Sequence, residues 1–94
     1  MAVTFEWDPE KAATNLGKHG VHFDEASTVF EDPLGRIVDD PRHCRSEDRS
    51  VLIGFSQAQR LLAVMFSENR NRIRIISARP VTRAERRTYE ENSR

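Results

Sequence analysis

Residues 49–78 read RSVLIGFSQAQRLLAVMFSENRNRIRIISA, and this stretch decides the fold. Three runs rich in branched and aromatic residues, Arg49–Phe55, Leu61–Ser67 and Arg72–Ala78, are separated by Ser56-Gln57-Ala58-Gln59 and Glu68-Asn69-Arg70-Asn71. Such runs favour strands. Connections this short return the chain antiparallel, because a parallel return needs a crossover of about a dozen residues or more. The last two runs lack strict alternation in their middles, so both are expected inside the sheet and covered on much of both faces.

Upstream of these runs, Thr4-Phe5-Glu6-Trp7 alternates as a short strand. Asp8 suits an N-cap and Pro9 the first helical position, which predicts a helix to about His19 with Gly20 as its stop. Ala12, Ala13 and Leu16 give that helix a thin apolar stripe. Asp24 signals a second start, and Ala26, Val29 and Phe30 fall at helical spacing in a short helix over Glu25–Phe30, ended by Pro33 and Gly35. Arg36-Ile37-Val38 reads as a strand, and Asp39–Asp48 as a polar loop holding Pro41, His43 and Cys44. Downstream, Pro80 breaks the last strand, and Thr82 with Glu85 forms a capping box opening a helix through about Glu91. The order β-α-α-β-β-β-β-α predicts one α+β domain over residues 1–94: a small antiparallel sheet with helices packed on one face.

Charge is divided along the chain. Fifteen Lys/Arg balance fifteen Asp/Glu overall, yet residues 1–59 hold six against eleven, and residues 60–94 hold nine arginines against four glutamates. The basic part contains no lysine. Guanidinium groups grip phosphate and carboxylate with a rigid donor fork, so the asymmetry points to a polyanion or an acidic partner. The longest apolar run, Leu61–Phe66, is too short to span a bilayer. No signal peptide is expected, and the lone Cys44 allows no internal disulfide, so the simplest location is the cytoplasm.

Several residues carry candidate chemistry. Arg72 and Arg74 share one face of a strand, where they repel unless an anion lies between them. Arg83, Arg86 and Arg87 stack on the last helix, and Glu90 and Glu91 offset only part of that like charge. Lys18 and His19 either complement a helix C-terminus or serve phosphodiester chemistry as a cation and a proton carrier. His43 and Glu47 lie in or beside the polar loop, as an acid–base pair or as exposed loop residues. Tyr89 either stacks on a base or packs on the sheet. No metal site is expected: His19 and His22 are interrupted by the helix stop, and no HxxH, HExxH or cysteine cluster accompanies them. No glycine-rich phosphate loop is present.

Read together, Phe5-Glu6-Trp7-Asp8, Lys11, Asn15, Lys18-His19-Gly20-Val21, Phe23-Asp24-Glu25-Ala26 and Val29-Phe30-Glu31-Asp32-Pro33 resemble the opening of the BrnT toxin family. Glu47-Asp48-Arg49, Ile53-Gly54, Ile73-Arg74-Ile75-Ile76-Ser77-Ala78-Arg79, Ala84-Glu85-Arg86-Arg87 and Tyr89-Glu90 resemble its remainder. The resemblance implies a fold similar to RelE-type ribonucleases and the toxin role in a bacterial type II toxin–antitoxin pair. It also implies RNA cleavage that inhibits translation, and neutralisation by a BrnA-type ribbon-helix-helix antitoxin. Operator DNA would be met only through that complex.

The expected activity is therefore that of a metal-independent endoribonuclease, without cofactor, in which the RNA 2′-hydroxyl attacks the adjacent phosphate. Lys18, His19, Glu47, Arg74 and Arg79 are the catalytic candidates. Arg49, Arg72, Arg83 and Tyr89 are expected to bind RNA, and Arg83, Arg86 and Arg87 to meet the antitoxin. The rival reading is a non-catalytic binding module, an operon co-repressor or adaptor acting through the arginine-rich C-terminal surface.

Overall fold

The computed structural model describes residues 3–39 and 49–92. Glu47, His43 and Cys44 lie outside the described residues. The element order is β1 (Thr4–Glu6), α1 (Pro9–His19), α2 (Phe23–Thr28), a 3-10 turn (Val29–Glu31), β2 (Arg36–Asp39), β3 (Arg49–Phe55), β4 (Leu61–Asn69), β5 (Arg72–Pro80) and α3 (Arg83–Asn92). The α+β order expected from the sequence is thus the observed one.

Helix signals act where the sequence places them. The Asp8 side chain accepts from the Glu10 N–H at 2.8 Å, and Gly20 closes α1 in the left-handed region at φ 69°. The second helix starts earlier than expected, at Phe23, and tightens into the 3-10 turn at Val29. Gly54 makes room for that turn: a Cβ there would meet Val29 Cγ1 at 3.0 Å and Asp32 Oδ2 at 3.1 Å.

The strands lie in the order β1-β5-β4-β3-β2. The β2–β3, β3–β4 and β4–β5 pairs are antiparallel, as the short connections require. The β1–β5 pair is parallel, with Thr4 opposite Arg72 and Glu6 opposite Arg74. An all-antiparallel sheet was the expectation; no short-range signal ties the first strand to the last, so its direction was not legible.

Alternation along the strands builds two cores. On one face, Leu52, Leu62, Val64, Phe66, Ile73 and Ile75 pack with Val21, Phe23, Ala26 and Val29 from the α1–α2 region. Trp7 sits edge-on to Phe23 at 5.9 Å, half-buried against this core. On the other face, Val51, Ile53, Leu61 and Ala63 pack with Tyr89 of α3. The helices therefore occupy both faces, not one. The inner strands β3 and β4 are apolar on both sides for this reason.

Candidate functional site

The face that α3 half-covers continues past the helix as a polar surface. Register assembles it. Arg74 of β5 lies opposite Glu6 of β1 and Ser67 of β4, and Ser67 lies opposite Arg49 of β3. Cross-strand partners share a face, so Glu6, Arg74, Ser67 and Arg49 form one row, with Arg49 about 10 Å from Arg74 at two strand spacings. A second row, Thr4, Arg72 and Asn69, lies beside it.

The anion between Arg72 and Arg74 is Glu6. Its Oε2 accepts from Arg74 Nη1 at 3.3 Å, and its Oε1 lies 3.8 Å from Arg72 Nε. The side chains of Arg72, Arg74 and Glu6 remain 66, 51 and 38% exposed. Water screens such a pair, so it contributes little to stability and leaves the guanidinium groups open to a ligand.

A bulge between Met65 and Phe66 in the β4–β5 register leaves Ile76 as an extra residue. It reverses the alternation of β5, which turns Ser77 and Arg79 to the same face as Arg72 and Arg74. Arg79 spans to α3 there, its two Nη groups donating to the two Glu85 oxygens at 2.8 Å each. The Thr82 N–H also donates to Glu85 Oε1, at 2.9 Å, and the Glu85 N–H to Thr82 Oγ1, at 3.2 Å. The Arg79 fork, against the opposing effect of burial, holds the Glu85 carboxyl below its ordinary value.

Of the two readings of Tyr89, packing on the sheet is the one observed, and its burial leaves no ring face for the base-binding role expected of it. Tyr89 is only 5% exposed, stands edge-on to Phe55 at 5.4 Å, and donates its hydroxyl to Asp32 Oδ2 at 2.7 Å. Burial foremost, then the Asp32 bond and charge, push the phenol up to about 12. Burial raises the Asp32 carboxyl, but bonds from the Phe55 N–H, the Tyr89 hydroxyl and the Leu34 N–H outweigh it and leave it lowered. Arg83, Arg86 and Arg87 are exposed, with Arg86 3.9 Å from Glu90 one turn on.

Lys18 and His19 are placed elsewhere. Because β1 ends at Glu6, no strand among the described residues covers the distal edge of β5, and α1 runs beside it. The buried side chain of Asn15 takes the missing strand's place: its Nδ2 donates to the Ala78 carbonyl at 2.8 Å, and its Oδ1 accepts from the Ala78 N–H at 3.1 Å. A groove of about 370 Å³ follows, lined by Lys11, Asn15, Lys18, His19, Ile76 and Ser77 among others. The structure thus gathers Arg49, Arg72 and Arg74, sets Lys18 and His19 along a neighbouring groove, and commits Arg79 to Glu85.

Sequence reasoning missed Glu6 and Asn15 as site-building residues. Alternation in β1 does turn Glu6 away from the core side of Phe5, which is a usable signal. The hook of Asn15 on Ala78 spans 63 positions and leaves no local trace.

Among the described residues no helix is long and apolar enough to cross a membrane. Residues 7–85 match the family model described as the ribonuclease toxin BrnT of type II toxin–antitoxin systems. No curated protein gives a significant match. Among solved structures, the crystal structure of the Brucella abortus ribonuclease toxin BrnT is similar, with a TM-score of 0.67 and 22% identity over 87% of this chain and 100% of that one.

Proposed function

Because the chain belongs to the BrnT family of ribonuclease toxins of type II toxin–antitoxin systems, we propose that it cleaves RNA as a metal-independent endoribonuclease, at the row of Glu6, Arg74, Ser67 and Arg49. The observation that carries this reading is the Glu6 carboxylate set between the exposed Arg72 and Arg74 guanidinium groups. A carboxylate beside paired cations supplies both a proton acceptor and stabilisers of charge, the two things this phosphodiester chemistry needs. Glu6 takes the proton of the RNA 2′-hydroxyl. The 2′-oxygen bonds to phosphorus, the bond to the 5′-oxygen breaks, and that oxygen takes a proton from solvent water. The products are a 2′,3′-cyclic phosphate and a 5′-hydroxyl end. Arg74 and Arg72 meet the negative charge that builds on the phosphorane.

Lys18 and His19, with Lys11, hold neighbouring phosphates along the β5 groove, and Arg79 positions the end of β5 against α3. Cutting RNA in this way inhibits translation, in the cytoplasm. The antitoxin is a BrnA-type ribbon-helix-helix protein that meets the exposed arginines of α3, and operator DNA is contacted only through that complex.

RNA cleavage by the purified chain in EDTA is the test. Wild type should cut, while Glu6→Gln should bind RNA and cut it far more slowly. Cleavage that returns only on adding a divalent metal would overturn metal independence. A Glu6→Gln variant as fast as wild type would remove the carboxylate from the chemistry.

A further inference from the structure

Beyond the arginine row, a cavity opens at the β4–β5 turn. It measures about 450 Å³ and is lined by Thr4, Asn69, Arg70, Asn71 and Arg72. That volume falls in the range of small-molecule sites, roughly 300–1,000 Å³. It is lined by polar residues that also present apolar surface, which suits a flat heteroaromatic ring with hydrogen-bonding edges.

The pocket adjoins the proposed phosphate site. Thr4, Arg72 and Asn69 are register partners on the face that carries Glu6 and Arg74. Arg72 belongs to both, lining the pocket and approaching Glu6 at 3.8 Å. The pocket's frame is fixed by the Thr4 N–H, which donates to the Asn71 carbonyl at 2.9 Å. Arg70 adopts φ 61°, a left-handed conformation that glycine or asparagine takes more readily. Asparagines stand on either side of it instead.

We propose that this pocket receives a purine base of the RNA, next to the phosphate held by Arg72 and Arg74, and so selects the nucleotide flanking the cut. The inference rests on the ribonuclease reading above. An asparagine amide offers one donor and one acceptor, matching the N6 and N7 edge of adenine. In guanine the same amide N–H donates to N7, which both purines carry. Pyrimidines have no N7 and offer neither contact. The planar guanidinium groups also provide surfaces for an unstacked base.

Two measurements test this. Cut positions on a random-sequence RNA should show a purine enriched at one nucleotide flanking the break. The Asn69→Ala, Asn71→Ala double variant should lose about tenfold in rate at purine sites and keep its rate elsewhere. Both side chains are exposed, so the fold is expected to survive. Equilibrium binding of a short oligouridylate carrying one central adenine, guanine or cytosine reads the pocket without cleavage. Wild type should bind the purine-bearing probes about tenfold more tightly, and the double variant should bind all three alike. Equal affinities in wild type, or a purine preference that survives in the double variant, would overturn the pocket. A wild-type chain that prefers purines in binding but cuts nothing would instead remove the ribonuclease reading and leave the pocket standing.

Discussion

Arg74 takes its geometry from a carboxylate 68 positions away. Its removal should leave the fold almost untouched, because an exposed pair contributes little to stability. Loss of a group that meets transition-state charge typically costs about 10²–10³ in rate. Arg74→Ala should therefore unfold at the wild-type denaturant midpoint while its RNA cleavage drops by that factor. Unchanged cleavage would place the phosphate elsewhere. Tyr89 should behave in the opposite way. Tyr89→Phe removes the hydroxyl that Asp32 accepts and should cost about 1 kcal/mol in a urea titration, with cleavage and base preference intact. The pairing of Arg72 with Arg74 on one face was legible from alternation alone. The anion between them was not, because β1 reaches β5 through the sheet and not through the local chain.

At the scale of the element, α3 is held at its two ends by different means. Its first turn is fixed by the Thr82–Glu85 box and the Arg79 fork, and its last by Tyr89. Glu85→Ala removes both the box and the fork, and should destabilise by about 1–2 kcal/mol. Between these anchors the helix presents Arg83, Arg86 and Arg87 to solvent. Their joint reversal to glutamate should slow association with the antitoxin and blunt its salt dependence, because complementary charge acts mainly on the rate of encounter. Stopped-flow association at low and high salt reads this, and equal rates would assign those arginines to RNA or solvent. The capping box was visible in four consecutive residues, so the start of α3 was legible. The face on which the helix lands was not. That depends on Tyr89 fitting against Phe55 and Asp32, and the sequence offers Tyr89 alone as its large apolar residue.

Across the whole molecule, folding brings the acidic and basic parts of the chain together. Glu6 meets Arg72 and Arg74, and Glu25 meets Arg60 through Arg60 Nε at 2.9 Å. Three carboxyls with structural partners lie below their ordinary values: Glu25, chiefly through Arg60; Asp32, whose backbone and Tyr89 bonds outweigh its burial; and Glu85, chiefly through Arg79. Each binds its proton less readily when folded, so protonation favours unfolding. Their stabilisation should be complete above about pH 5 and should drain as pH falls through about 4 and below. Denaturation midpoints measured from pH 7 down to pH 3 check this, and a flat profile would contradict it. The parallel pairing of β1 with β5 bears on the timing of synthesis. The first strand has no sheet partner until Arg72–Arg74 has been translated, and closing so long a loop is among the slower steps of folding. A nascent chain can build the β3–β4 hairpin while it still lacks the joined carboxylate and guanidinium groups. The surface assigned to RNA is therefore assembled late, after most of the chain has been translated.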